Sequence, residues 1–332
     1  MDIELVWSLL LFTGSAVAVM WSGTFLAKHG DRLAYITGWG RLWVGTVLIA
    51  IATSLPELVT NIVAAVRNQP ELIGGTILGS NMANMFLLAI IVLIFKKERF
   101  LWNISYDHTR LILFAILFAG ITLMLSGIHI DISLKGVGAS SLLVLVLYLL
   151  GIRLVYAMRP QTTPVKLDNL ASQLPSGVSK TWSLFCLAAL GVVISSSLLT
   201  FSIEDISTTT GLSTSFLGVL AVAIVTTMPE IAISIAATKM GASDLVIGNI
   251  YGSCIFNLAV FAFADPFYSH GTLIETLTTA HIVAGISAII LMVLGLSLIA
   301  SRGENKYFRT TPTLWSMVIV YIASLCLVYV VA

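Results

Sequence analysis

The chain of 332 residues is 58% hydrophobic and 10% charged, against about 45–50% and about 25% in soluble domains. No soluble fold can hide that much hydrocarbon, so a bilayer has to be the solvent. The net charge of +1 carries no information about partners, and the three cysteines, Cys186, Cys254 and Cys326, all fall in apolar runs at spacings that exclude a disulfide framework or a paired-cysteine metal site.

A bilayer core about 30 Å thick needs about 20 apolar residues per helix. The chain opens on Met1, Asp2, Ile3, Glu4, acidic where a cleaved signal carries its positive region, so the first apolar run reads as a retained span. In chain order the predicted spans are 5–27, 42–66, 72–95, 111–127 and 136–157, then 183–201, 214–238, 244–264, 280–300 and 312–331. The polar stretch 159–182 divides five spans from five and reads as a cytoplasmic linker between a first repeat, 1–158, and a second, 183–332. Cytoplasmic loops retain Lys and Arg. With both termini extracytoplasmic, every basic residue except Arg67 and Lys135 falls on the cytoplasmic side, while Asp2, Glu4, Glu71, Asp131, Glu204, Asp205, Asp265 and Glu275 collect opposite. The expected localisation is the cell's inner membrane.

The two halves repeat each other. Thr53-Ser-Leu-Pro-Glu57 returns as Thr226-Thr-Met-Pro-Glu230, and Gly79-Ser80 with Asn84 returns as Gly252-Ser253 with Asn257, both at an offset of 173 residues. Gly45 and Gly218, Ala50 and Ala223, Leu72 and Leu245, and Gly75 and Gly248 keep the same offset without a gap. Five spans per half is an odd number, so the second half enters the membrane from the opposite side. The fold expected is an all-α polytopic membrane protein of ten transmembrane helices in two inverted five-helix repeats, with core motifs at 45–85 and 218–258. That plan places a substrate site near the midplane on broken helices.

Glu57 and Glu230 are the acids placed deep in apolar runs. A charged carboxylate at that depth costs about 2.5–3.5 kcal/mol on insertion scales, and such residues mark ion pathways. Pro56 and Pro229 precede them and remove a helix amide opposite the carbonyls of Ala52 and Val225. Thr53 and Thr226 stand one turn before the acids, with Ser54 and Thr227 beside them, and Ser80 with Asn84 and Ser253 with Asn257 share a helix face at i, i+4. These are hard oxygen donors without imidazole or thiolate, a shell that suits Na⁺, Ca²⁺ or Mn²⁺ better than zinc or copper, and Mg²⁺ less well because it sheds water reluctantly. Gly74, Gly75, Gly79, Gly248 and Gly252 let the helices approach. Asn61 and Ser234, one turn past the acids, read equally as supports of the site or as outward polarity. His29, His108, His129, His270 and His281 fall in loops or at helix ends without ligand spacing and read as interfacial.

At these motifs the sequence resembles the calcium/cation antiporter superfamily, in particular its prokaryotic sodium/calcium exchangers. The resemblance implies no enzymatic activity and no cofactor, metal cations and the lipid bilayer as partners with no nucleic acid, and a monomeric transport unit exchanging Ca²⁺ for Na⁺ by alternating access. It implies the ligands Ala50 (through its carbonyl), Thr53, Ser54, Glu57, Ser80 and Asn84, with Ala223, Thr226, Thr227, Glu230, Ser253 and Asn257 as second-repeat counterparts, and a sliding gate in the first and sixth spans. Ala52, Val225, Thr227 and Cys254 depart from the family pattern, and Asn257 stands where many such exchangers carry Asp. Two carboxylates match one Ca²⁺ or two Na⁺; a third Na⁺ would bind against that balance. The rivals are a cation/proton antiporter on the same scaffold, with the acids as proton carriers, a passive channel, and an intramembrane enzyme, for which no nucleophile or metal ligand set is found at depth.

Overall fold

The computed structural model describes residues 3–95, 108–128, 133–134, 137–158, 178–210, 226–300 and 306–331. Helix α1 (Ile3–Thr37) leads into the four-residue α2 (Gly40–Trp43), which runs through a π-helical stretch, Val44–Ile49, into α3 (Ala50–Val66). Then come α4 (Pro70–Ile94), α5 (His108–Ser126), a two-stranded antiparallel pair β1 (Ser133–Leu134) and β2 (Val137–Gly138), and α6 (Ala139–Ala157). The second half holds α7 (Val178–Thr210), α8 (Met228–Lys239), α9 (Ser243–Ala264), two short 3-10 turns at Asp265–Phe267 and Leu273–Thr276, α10 (Thr279–Ala300) and α11 (Lys306–Val331).

Among the described residues nine helical stretches are long and apolar enough to cross a membrane, the α2–α3 run counting as one. They correspond to nine of the ten expected spans. The expected seventh, 214–238, is described only from residue 226, and the 12 residues of α8 begin at Met228; Gly218 and Ala223 lie outside the described residues, as do 159–177 of the expected linker, while 178–182 already belong to α7. The first and sixth spans run well past their expected ends, to 35 and 33 residues. The β1–β2 pair is an addition to the all-α expectation and lies in the connection between α5 and α6.

Helix α9 is the axis of the molecule. It is buried along nearly its whole length and touches α3 and its π-helical lead, α4, α5, α6 and α8, while Tyr251 reaches the Met292 carbonyl of α10. Helix α1 lies along α7 and crosses α8 at the periphery, and α10 packs on α4, α5 and α11. The outer faces of α1, α7 and α11 present Trp7, Leu10, Trp21, Leu187, Leu190, Trp315 and Ile319, an apolar girdle that only lipid covers without a penalty.

The internal repeat reaches the backbone. Helix α3 ends with Asn68 N–H bonding Ala65 O (3.0 Å) and Gln69 N–H bonding Ala64 O (2.9 Å); α8 ends with Gly241 N–H on Thr238 O (3.0 Å) and Ala242 N–H on Ala237 O (2.9 Å). Every pair is displaced by 173 residues. Both are Schellman caps whose pivot is left-handed, Asn68 at φ 54° and Gly241 at φ 70°. Asn and Gly are the residues that take this conformation at least cost, which is why a non-identical pair occupies equivalent positions.

The hydrogen bonds also show the inversion. Asn68, just before α4, accepts from Ser269, just after α9 (2.8 Å), and His281 at the start of α10 meets Glu71 in the first turn of α4 (2.9 Å). At the other end His108, which opens α5 after α4, meets Asp244 in the first turn of α9 (2.7 Å). Helices α4 and α9 are therefore antiparallel neighbours, although they are sequence equivalents.

Candidate cation-binding site

Four elements converge at mid-depth: α3, α4, the start of α8, and α9. What lets them converge is the absence of a side chain at two positions of α9, Gly248 and Gly252. A Cβ on Gly248 would lie 2.9 Å from Leu42 O, and one on Gly252 would lie 2.5 Å from Thr46 O and 2.8 Å from Ala50 Cβ. The π-helical stretch therefore lies directly against the α9 backbone, and α3 starts at Ala50 with its donors already turned toward α9. Such single-turn π stretches concentrate at functional sites. Pro56 sits inside a continuous α3, so the irregularity lies upstream of the proline rather than at it. In the second repeat the chain is interrupted at Thr227, and Pro229 occupies the first turn of α8, leaving Glu230 in that turn as well.

All the expected ligands that the structure describes are buried: Ala50, Thr53, Ser54, Glu57, Ser80, Asn84, Thr226, Thr227, Glu230, Ser253 and Asn257 are each at most 3% exposed. Glu230 Oε1 accepts from Ser253 Oγ (3.2 Å) and from Ser54 Oγ (3.4 Å), so one carboxylate gathers hydroxyls from both repeats. The Thr53 hydroxyl also faces Glu230, and the Thr226 hydroxyl faces Glu57, an exchange between equivalent residues of opposite repeats. The two carboxylates stand near enough to repel each other.

The cluster holds more oxygen than it has protons. Thr53 Oγ1 lies 3.1 Å from Ala50 O, 3.4 Å from Asn249 Oδ1 and 3.2 Å from Ser253 Oγ. Ser253 spends its proton on Glu230, and Thr53 has one proton for these three neighbours and Glu230 together. In addition Glu57 Oε2, Glu230 Oε2, Ser80 Oγ, Asn84 Oδ1 and Asn257 Oδ1 are buried without a hydrogen-bond partner among the described residues. A single unsatisfied buried polar atom costs about 1–3 kcal/mol, so a group of them around two carboxylates calls for a partner, whether a proton, a water or a cation. Neither glutamate takes part in an ion pair within the described residues, and no cluster of His, Cys, Asp or Glu there offers a transition-metal site. The donor set fits a hard cation bound as cargo.

Two residues of this centre escaped the sequence reading. Asn81 donates to Cys254 O (3.3 Å) and accepts from Asn257 Nδ2 (3.1 Å), and the Cys254 thiol points back at Asn81 O (4.0 Å). Asn81 and Cys254 are equivalents at the 173-residue offset, so the pseudo-twofold axis passes between them. Asn249 Oδ1 faces Thr53; its equivalent, Thr76, bonds its own helix at Leu72 O (2.7 Å) and takes no part. A buried amide in an apolar span was the available signal for both. Asn61 and Ser234 are buried, which removes the outward-facing reading, and Asn61 Nδ2 binds Glu57 O (2.7 Å), steadying the backbone of the acid.

The interfacial reading of the histidines needs correction at three positions. His29, His108 and His281 are all buried, His29 inside α1 and the other two with acceptors on neighbouring helices. The reason is that helix ends here pack against the opposite repeat instead of facing water. His129 lies outside the described residues, and His270 is exposed in the turn after α9.

The model of the family described as "Sodium/calcium exchanger protein" matches residues 7–157 and 180–263, which include both motif copies. The chain belongs to the sodium/calcium exchanger family. It is thereby a multi-pass membrane protein and a cation antiporter, not an enzyme. This exchanger is 26% identical to Inner membrane protein YrbG of Escherichia coli (strain K12) over 254 residues, 76% of each chain. It is also 34% identical over 80 residues to Sodium/calcium exchanger MaX1 of Methanosarcina acetivorans, covering 24% of this chain and 23% of that one. The structure of the sodium-calcium exchanger NCX_Mj soaked with 10 mM Na⁺ and zero Ca²⁺ superposes with a TM-score of 0.73 at 19% identity, over 98% of this exchanger and 99% of that chain. At that identity the superposition speaks for the fold.

Proposed function

We propose that this exchanger moves Ca²⁺ against Na⁺ by alternating access, with both ions competing for one cage built by Glu57 and Glu230. The remaining ligands are Thr53, Ser54, Ser80, Asn84, Thr226, Thr227, Ser253 and Asn257, with the carbonyls of Ala50 and Ala223. The observation that carries the reading is the set of partnerless buried oxygens on Glu57, Glu230, Ser80, Asn84 and Asn257, drawn from four helices and both repeats. A bound cation is a partner that carboxylate, hydroxyl and amide oxygens can all share.

Coupling follows from charge. An empty cage carries two facing carboxylates, and moving that charge through an occluded, water-free state is unfavourable; with Ca²⁺ or two Na⁺ the charge is matched and the barrier falls. The carrier therefore crosses loaded in both directions. The moving part is the α1–α7 pair: a Cβ on Gly23 of α1 would lie 2.7 Å from Ala232 Cβ of α8, where the pair meets the centre, and one on Gly191 of α7 would lie 3.2 Å from Ser22 Cβ of α1, where the two helices of the pair meet each other. The protein lies in the cell's inner membrane, with both termini and the acidic face extracytoplasmic.

The test is isotopic Ca²⁺ uptake into Na⁺-loaded vesicles, with Mn²⁺, Mg²⁺ and K⁺ as competitors. Glu57→Gln and Glu230→Gln should each abolish uptake while leaving the protein folded; full activity in both refutes the site. A second reading, Ca²⁺ against H⁺, is favoured by the same two facing carboxylates, which lack a basic partner among the described residues and which a proton would also relieve. An imposed pH gradient without Na⁺ distinguishes them, since Ca²⁺ flux under that condition replaces Na⁺ by H⁺ as the counter-ion.

A further inference from the structure

The offset of 173 residues that pairs the cage residues also pairs His108 with His281 and Asp244 with Glu71. None of these four belongs to the cage, yet the structure brings them together crosswise. His108, fully buried at the first position of α5, places Nε2 2.7 Å from Asp244 Oδ1 in the first turn of α9. His281, in the first turn of α10, places Nε2 2.9 Å from the carbonyl of Glu71 in the first turn of α4. In each case the histidine that opens one repeat's fourth span is docked on the first turn of the other repeat's donor helix. The second clasp is closely built. His281 Nδ1 accepts the Thr278 amide (3.0 Å), which leaves the ring proton on Nε2 to donate to Glu71 O. The ring lies over Gly74, where a Cβ would come within 3.0 Å of it.

We propose that His108 and His281 are positioning residues that fix the axial register of α9 against α4 and thereby set the size of the cation cage; the proposal rests on the cage assignment above. The argument is mechanical. Asp244 is nine residues before Ser253, and Glu71 nine before Ser80, so each clasp holds a helix end about 14 Å along a stiff rod from the donors that rod carries. Because α4 and α9 are antiparallel, the clasps sit at opposite membrane faces. The Asn81 bonds to Cys254 and Asn257 tie the rods at their middle, and one clasp alone would leave the opposite ends free to splay about that tie. Two, each reaching across the repeats, hold the distance from Ser80 and Asn84 to Ser253 and Asn257. Neither histidine touches the ion. The charged groups near the first clasp are Asp244 itself and Arg41, which is paired with Asp31 of α1; the group near the second is Glu71.

The experiment compares His108→Leu, His281→Leu, His108→Gln and His281→Gln with the wild type in Na⁺-loaded vesicles, scoring half-saturating Ca²⁺, maximal rate per folded transporter, and competition by Mn²⁺, Ca²⁺ and Sr²⁺. Leucine removes the donor to Asp244 or Glu71; the glutamine amide restores one. The expected result for each leucine variant is a rise of about tenfold in half-saturating Ca²⁺, the usual scale for a residue that orients metal ligands. The maximal rate should be retained, the ranking of the three ions by size altered, and the glutamine variants should return toward wild type. A fall in rate with unchanged half-saturation and unchanged ion ranking, or identical behaviour of leucine and glutamine, overturns the proposal. Should the leucine variants fail to insert, Gly74→Ala, which presses on the His281 ring, decides by the same ion ranking. Glu57→Gln run alongside separates the two ideas: if it abolishes uptake while the histidine variants match wild type, the cage stands and the clasps fall; if it exchanges normally, the cage itself has failed.

Discussion

Asn81 and Cys254 hold the two helices of the centre together at the point where the repeats meet. Asn81 uses its amide on the Cys254 carbonyl and its oxygen on Asn257, so a single side chain satisfies a backbone group of one helix and orders a proposed ligand on it. Replacing Asn81 by Leu leaves the Asn257 amide buried without its acceptor and strips the Cys254 carbonyl of its second donor, the helix bond within α9 remaining. The expected loss is about 1–3 kcal/mol of stability, seen as a lower melting temperature of the purified protein in detergent, accompanied by weaker Ca²⁺ binding. An unchanged melting temperature would show the amide to be dispensable. The residue was illegible in the sequence for a physical reason. Glu57 and Glu230 announce themselves because a carboxylate in an apolar run is expensive and both copies carry one; Asn81 is matched by a cysteine, so the repeat comparison that exposed the acids passed over it. Ser80, Asn84, Ser253 and Asn257 were legible through the i, i+4 rule, which α4 and α9 obey as regular helices.

At the scale of the element, the approach of the α2–α3 run to α9 depends on backbone contact rather than on side-chain interdigitation. Gly252 shows this most directly, since its missing Cβ would meet the Thr46 carbonyl at 2.5 Å and Thr46 Cα at 2.7 Å, and backbone cannot step aside as a side chain can. Gly252→Ala should therefore separate α9 from the start of α3, at about 1–3 kcal/mol of overpacking. It should also impair Ca²⁺ exchange by pulling Ser253 away from Thr53, although alanine is the better helix former. Gly120→Ala in α5, where a Cβ would meet nothing within 4 Å, provides the contrast: equal or slightly higher stability and normal exchange, measured in the same vesicles. If both variants behave alike, the close approach does not matter to the site. The glycines were legible as a packing signal. The π-helical stretch was not, because it arises from the fit of Val44–Ile49 against α9 and leaves no local mark in a sequence whose proline, Pro56, drew attention about two turns later.

For the whole molecule, the parity of the spans and the constant offset were enough to imply two inverted halves, and the crossed contacts of Asn68 with Ser269 and of His108 with Asp244 show that inversion in three dimensions. Helix lengths at the rim were less legible, since α1 and α7 continue beyond their apolar cores as one long pair. The consequence that reaches furthest is electrical. Asn257 is neutral where an aspartate would give a third charge, so the proposed cage carries two negative charges and is neutralised equally by one Ca²⁺ or by two Na⁺. Each charge left unbalanced during crossing would couple transport to voltage at about 2.3 kcal/mol per 100 mV; with both loaded forms neutral, the exchange should be electroneutral. Ca²⁺ uptake by Na⁺-loaded vesicles is then expected to be the same whether a potassium gradient with valinomycin holds the interior negative or at zero potential. Asn257→Asp supplies the third charge and replaces the amide that now donates to Asn81 Oδ1 at 3.1 Å, so this variant should be less stable, and its uptake should become voltage-dependent because the sodium- and calcium-loaded forms can no longer both be neutral. Wild-type uptake that follows the imposed potential would show that a further ion travels with the cage, and the two-charge account of coupling would fail.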